Sequence, residues 1–338
     1  MTKLERLQSI GIKRLGSPKR GFRYRTAEGK KVSKADQARI EALKIPPAWE
    51  NVAINPSANG RVQAVGTDAA GRWQYLYHES HTRAQESRKF RRLVKFAQAL
   101  PKMRKTIARD LRQPGLTRER VLACILRILS TCFMRPGSQV YANENGSYGI
   151  STVRPKHVKV RADSVEFDFP GKSGVRQTRQ LRDRQVARVI RSLLKKPGQV
   201  FKYENGNGEL IKVERRHINE YIKETMGEKF SAKDFRTWAG SLVCACSLAR
   251  VGFDENDSAT TSKRKLVAAV KETAEILGNT PAVCRGSYIC PEILAGFAEG
   301  RTINNHFETL EALVRFRGRG LHKAERSLLR FLKNGSKS

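Results

Sequence analysis

The chain has 338 residues, 39% of them hydrophobic, enough for two domains and a sizeable core, which excludes a disordered polycation. Lys and Arg number 66 against 32 Asp and Glu, and the resulting charge of +34 runs along the whole chain. Self-repulsion on that scale calls for a polyanionic partner, with nucleic acid first and the ribosome or an anionic membrane behind it.

The N-terminal MTKLERLQSIGIKRLG lacks the apolar run of a signal peptide. After it the first 82 residues read as a small, β-rich domain. RGFRYRT, WENVAIN, GRVQAVGTD and RWQYLYH are short alternating runs broken by Gly, Asp, Asn and Pro. A helical stretch among them, SKADQARIEALKI, is expected to run to Pro46-Pro47. Residues 83–338 read as a mainly helical domain, beginning with the basic ESRKFRRLVKFAQALPKMRKTIARDLR. In LTRERVLACILRILSTCF, Thr117 is a cap, and Val121, Ile125, Ile128 and Cys132 form an apolar stripe. HVKV, VEFDF and VRQT then alternate at period two, and PGKSG makes a turn with Lys172 at its tip. Helices resume in LRDRQVARVIRSLLKK, VERRHINEYIKETMG and SAKDFRTWAGSLVCACSLARVGF, the last capped by Ser231 with Asp234 three residues on. TSKRKLVAAVKETAEILG ends at Gly278, and Thr280-Pro281 starts a new helix whose last turn holds Tyr288. Pro291 disfavours helical geometry at Cys290. The tail, RFRGRGLHKAERSLLRFLKNGSKS, reads as a last basic amphipathic helix with a frayed end. The class is therefore α+β, an antiparallel N-terminal domain followed by a helical domain with a small hairpin sheet.

No window is apolar for the length of a membrane span. The six cysteines contain no CxxC and mostly lie in helical patterns, so buried free thiols in a reducing cytoplasm are expected. No HExxH, Walker loop or GxGxxG after a strand occurs, and no metal or small-molecule cofactor is expected.

If the partner is DNA and Tyr288 a nucleophile, the reaction needs fixed cations for the phosphoryl oxygens and a proton donor for the leaving oxygen. Arg135 ends an apolar helix, Lys233 and Arg236 share a helix face, Lys172 tops a hairpin and Asn279 follows a helix end. Each has a plainer reading. Arg135 fits a helix-end cation that caps carbonyls, Lys233 and Arg236 fit a solvated basic face, and Lys172 and Asn279 fit turn residues. Tyr288 fits a helix-end tyrosine with its ring buried and its hydroxyl wet.

Five phrases in order decide between these readings: KIPPAWENVAINPSANGRVQAVGTDAAGRWQYLYH, FMRPGSQVYANENGSYGISTVRPKHV, FDFPGKSG, AKDFRTWAG and LGNTPAVCRGSYI. Through them, over roughly residues 20 to 325, the chain resembles the compact bacterial and poxvirus-like type IB DNA topoisomerases. The resemblance implies a C-shaped clamp on duplex DNA, acting as a monomer in the cytoplasm, without ATP or metal. It implies Tyr288 as nucleophile, Arg135, Arg236 and Asn279 on the phosphate, Lys172 as general acid, and Lys233 as a second donor. It also makes Gln74, Tyr75, Tyr77 and Tyr141 candidate DNA contacts, although a half-buried strand explains the first three equally well. The chain departs from the family pattern at Pro136 and Ser138, after the arginine, and at Trp73, where a basic residue is usual. Two rivals stand beside this reading. A tyrosine recombinase has a similar site but prefers His-x-x-Arg and a helical N-terminal domain, and a non-enzymatic DNA-packaging protein fits the charge alone.

Overall fold

A computed structural model of the chain describes residues 2–304 and 316–335. They form two compact units, Met1–Lys89 and Phe90–Ser338, divided inside a long helix rather than at residues 82 and 83.

The first unit is a five-stranded antiparallel sheet of β1 (Ile12–Ser17), β2 (Gly21–Arg25), β3 (Glu50–Ile54), β4 (Val62–Thr67) and β5 (Trp73–Tyr77), ordered β2-β1-β3-β4-β5. Helix α1 (Lys3–Ile10) precedes β1, and both lie in a segment for which the sequence pattern predicts no element. Thr2 and Glu5 start α1 reciprocally: the Thr2 N–H donates to the Glu5 carboxylate at 2.7 Å and the Glu5 N–H to the Thr2 hydroxyl at 3.2 Å. Helix α2 (Lys34–Ala42), capped by Ser33, stops before Lys44, which turns left-handed, so it ends short of Pro46-Pro47. The sheet follows the period-two rule on both faces. Ile12, Val52, Ile54 and Ala64 pack with Ile40 of α2, while Ala53 and Val65 pack with Leu7 of α1. With a helix on each side, β4 is buried almost throughout and has no solvent-exposed face. Strand β5 is an edge, and Tyr75 and Tyr77 stay exposed there with their rings stacked 6.2 Å apart.

The second unit is mainly helical. Helix α3 (Glu79–Asp110) contributes Phe90, Leu93, Phe96, Ala97, Leu100, Met103 and Ile107 to its core, a spacing of one helical face that continues across Pro101. Helix α4 (Arg118–Cys132), capped by Thr117, buries Leu122, Leu126 and Leu129 as well as the expected stripe, because neighbours surround it. Next come α5 (Gln139–Asn145) and a three-stranded antiparallel sheet, β6 (Val158–Arg161), β7 (Ser164–Pro170) and β8 (Arg176–Arg182), with Val165, Phe167 and Phe169 inward. Helix α6 (Arg184–Leu194) leads to a hairpin, β9 (Lys202–Glu204) and β10 (Leu210–Lys212), and to α7 (Arg215–Met226). Helix α8 (Ala232–Val251) is buried over most of its length and packs against α9 (Ala259–Leu277). Two short helices, α10 (Pro281–Ser287) and α11 (Pro291–Ala298), follow, and α12 (Lys323–Gly335) closes the core with Ala324, Leu328 and Leu332. The frayed end expected after it lies outside the described residues. All six cysteines are buried and free. No described helix is long and apolar enough to cross a membrane.

Candidate active site

The site gathers where the carbonyl ends of α4 and α9 meet an arginine of α8. Helix α4 ends at Phe133, a left-handed residue at φ 53°, and α9 ends at Gly278, left-handed at φ 61°. Arg236, on α8 and only 3% exposed, donates from Nη1 to the Phe133 carbonyl and from Nη2 to the Leu277 carbonyl at 2.9 Å. Arg135, two residues beyond the end of α4, reaches Gly278 O at 3.5 Å and the Asn279 side-chain oxygen. The plain reading of Arg135 as a cap is thus correct in kind but crossed in partner: it serves α9, while Arg236 serves both α4 and α9.

Pro136 fits this place. The carbonyls of Arg135 and Pro136 accept from Ile150 N–H at 2.9 Å and Ser151 N–H at 2.8 Å, while Gly137 at φ 93° lies against Gly149. A Cβ on Gly149 would stand 2.5 Å from the Gly137 Cα. Ser138 precedes α5 without a side-chain cap bond.

Tyr288 is the residue just past α10, with φ −128° and ψ −20°, rather than within its last turn. Thr280 caps that helix, and the Tyr288 N–H still donates to Cys284 O at 2.9 Å. Cys290 is extended, as Pro291 requires. Two residues of α8 that the sequence did not single out hold this link. The Ser241 hydroxyl donates to Tyr288 O at 3.1 Å and accepts from the Cys290 N–H at 3.0 Å. Gly240 lets the chain approach, since a Cβ there would lie 2.9 Å from both the Cβ and the carbonyl oxygen of Tyr288. The small pair within the apolar WAGSLV run was the available signal. Arg236, one turn earlier on α8, places its guanidinium carbon 5.1 Å from the Tyr288 ring centroid.

Charge follows from this packing. Burial pushes the Arg236 pKa down to about 10, helped by the Arg135 charge and opposed by Tyr288. Burial alone would raise the Tyr288 phenol, but Arg236, then Arg135 and Lys233, outweigh it and hold the phenol below its ordinary value. Among the described residues, no carboxylate pairs with Arg135 or Arg236. Arg236 Nε and Asn279 Nδ2 are buried donors without a partner.

The structure therefore brings Arg135, Arg236, Asn279 and Tyr288 together. Lys233 is exposed at the start of α8, within electrostatic reach of the phenol. Lys172 is exposed at the tip between β7 and β8, where Ser173 and Gly174 turn left-handed, and makes no hydrogen bond among the described residues. Tyr141, on α5, is 45% exposed. In the first unit Gln74 donates to Asp68 at 2.9 Å, so its amide is engaged, whereas Tyr75 and Tyr77 are open to solvent. Trp73 packs beside Ala53 and Val65, which explains an aromatic residue where a basic one is usual.

The family model described as eukaryotic DNA topoisomerase I, catalytic core, matches residues 79–291. That of the bacterial DNA topoisomerase IB N-terminal domain matches residues 21–68. The chain is 37% identical over 285 residues to DNA topoisomerase 1B of Acanthamoeba polyphaga mimivirus, covering 82% of this chain and 85% of the relative. It is 25% identical over 263 residues to DNA topoisomerase 1B of vaccinia virus strain Copenhagen, covering 75% and 80%. Strand β5, with its tyrosine pair, lies between the two matched spans.

Proposed function

The chain belongs to the type IB DNA topoisomerase family, and from that premise we propose that Tyr288 is the nucleophile with which it opens one strand of duplex DNA. The observation that supports this most directly is the Tyr288 phenol beneath the Arg236 guanidinium, its backbone clamped by Gly240 and Ser241. A lowered phenol pKa makes the attacking oxygen easier to ionise, and clamping limits its search.

In the proposed step the phenol gives up its proton to solvent water as Oη bonds to phosphorus. The bond from phosphorus to the 5′ oxygen breaks, and that oxygen takes a proton from Lys172. The products are a 3′-phosphotyrosyl link and a free 5′ hydroxyl. Arg135 and Arg236 bear on the nonbridging oxygens as charge develops, with two forked donors suited to phosphate. Asn279 offers its unpartnered Nδ2 to one of those oxygens. Lys233 adds charge at the edge of the site and is a second proton donor. The phosphotyrosine conserves the energy of the broken bond, so rotation of the free end followed by reversal needs no ATP. Fixed guanidinium groups supply the stabilisation a metal would otherwise give. One chain carries every residue used, so a monomer suffices. Tyr75, Tyr77 and Tyr141 supply DNA contacts outside the reacting centre. The +34 charge keeps the enzyme on cytoplasmic DNA with an affinity that falls steeply with salt.

The test is relaxation of negatively supercoiled plasmid in EDTA without ATP, beside Tyr288→Phe. Relaxation by the first and none by the second is expected. Relaxation by both would remove Tyr288 from the reaction, and binding without relaxation by the unaltered chain would overturn the cycle. For Lys172, replacing the leaving oxygen by sulfur removes the need for an acid, so such a substrate is expected to restore cleavage by Lys172→Ala.

A further inference from the structure

Strand β8 alternates, and its inward row is Gln177, Arg179 and Leu181, where a strand built only for packing carries apolar side chains. Gln177 is 9% exposed. Arg179 is half-buried, its Nε is buried without a partner, and no carboxylate pairs with it among the described residues. Burying a cation in this way opposes folding, so a strand selected for stability alone would not keep it.

Two glycines show what the pair does. A Cβ on Gly278 would meet Gln177 Oε1 at 2.5 Å and Arg179 Nη2 at 2.8 Å. A Cβ on Gly171 would meet Gln177 Cγ at 2.7 Å. The Gln177 side chain therefore lies against both glycines, and each immediately precedes a residue of the proposed cycle: Gly171 precedes Lys172, and Gly278 precedes Asn279. Arg179 Nη2 donates to Gln177 Oε1 at 3.0 Å, which sets the amide orientation. The Gln177 Nε2 then points to the Arg176 and Val175 carbonyls at 3.3 Å and 3.4 Å, at the base of the hairpin tip.

We propose that Gln177, oriented by Arg179, is a positioning residue that couples the Lys172 hairpin to the Asn279 corner, so that proton donor and phosphate donor are set together. The inference rests on the roles given above to Lys172 and Asn279. It adds a member that touches neither DNA strand nor reacting atom and acts by contact with two backbones. Neither Gln177 nor Arg179 has a periodicity or spacing signal that distinguishes it from its neighbours in VRQTRQLR.

Single-turnover cleavage by Gln177→Ala, Arg179→Met and Gly171→Ala tests it, with DNA affinity measured for the same changes in a Tyr288→Phe background. Each is expected to slow cleavage of the ordinary substrate about tenfold while leaving affinity within about twofold, the signature of lost transition-state alignment. With the sulfur-substituted substrate and an Asn279→Ala background together, both routes are closed, and the Gln177→Ala loss is expected to vanish. A loss of the same size in that doubly altered setting, or a loss in affinity alone, overturns the proposal. Gly171→Ala displaces Gln177 without removing it, so matching behaviour keeps the test independent of any folding defect in Gln177→Ala. Failure of sulfur to restore Lys172→Ala would reject the acid assignment itself. That failure is read without any Gln177 variant, and it takes the coupling with it.

Discussion

Helix α8 has buried polar groups on two sides, and the company they keep differs. Toward α3 and α12, Arg104 makes a bidentate pair with Glu325, at 2.8 and 2.7 Å, and Trp238 of α8 donates to the same carboxylate at 3.2 Å. Arg92 likewise pairs with Asp234 at 2.7 Å. Toward Tyr288, Arg236 meets carbonyls and the Tyr288 side chain, and no carboxylate among the described residues. A buried arginine facing a carboxylate has its counter-ion within the fold, whereas one facing carbonyls keeps its charge available for an incoming anion. The first arrangement holds helices together, and the second holds a site ready at some expense in stability.

The sharpest way to break this comparison is to remove one arginine from each side. Arg236→Ala is expected to slow single-turnover cleavage by about 10²–10³-fold, the scale of losing a preorganised charge donor. Its thermal stability should change little, because removing a buried cation without a carboxylate offsets leaving the Phe133 and Leu277 carbonyls without a donor. Arg104→Ala is expected to do the reverse, lowering stability by about 3 kcal/mol by stranding the Glu325 carboxylate while the folded protein cleaves normally. If chemical denaturation shows equal losses for the two, the distinction fails.

The pH profile sharpens the same contrast. Arginine charge holds the Tyr288 phenol below its usual 10.0, so more of it is ionised at any given pH, and the rise of cleavage rate with pH should level off below pH 10. Arg236→Gln removes the largest lowering influence and should move that plateau to higher pH, whereas Arg104→Gln should leave it in place. Cleavage rates collected from pH 6 to 10 would decide this, and an unmoved plateau in Arg236→Gln would reject the assignment. The smallest effect is expected at the edge of the first unit. Tyr77→Ala should weaken DNA binding by about 1 kcal/mol, the scale of one aromatic contact, with no change in cleavage at saturating DNA. A cleavage defect there would tie β5 to the chemistry.

Local chemistry was legible wherever a few adjacent residues decide the outcome. Thr117, Ser231, Thr280-Pro281 and Gly278 mark helix ends because caps act within one turn. The Lys172 turn was legible for the same reason. Strands β9 and β10, three residues each, were not, because pairing across the hairpin stabilises them rather than any pattern of their own. Helix α5 carries no apolar stripe to mark it, because it is short and only Ala142 is buried. The Thr2–Glu5 box is written in the sequence as a threonine three residues before a glutamate.

The sequence by itself determined the α+β class and the family, and it pointed to the tyrosine, arginines and asparagine proposed for the site, since order and local spacing carry these. Only the tertiary structure decided that Arg236 spans the ends of α4 and α9, that Arg135 crosses to Asn279, that Gly240 and Ser241 clamp Tyr288, and that Gln177 lies between two glycines. Each of these depends on which distant carbonyl or counter-ion comes within a side chain's reach. Residues tens to more than a hundred positions apart become neighbours only when the helices pack, so no local pattern records them.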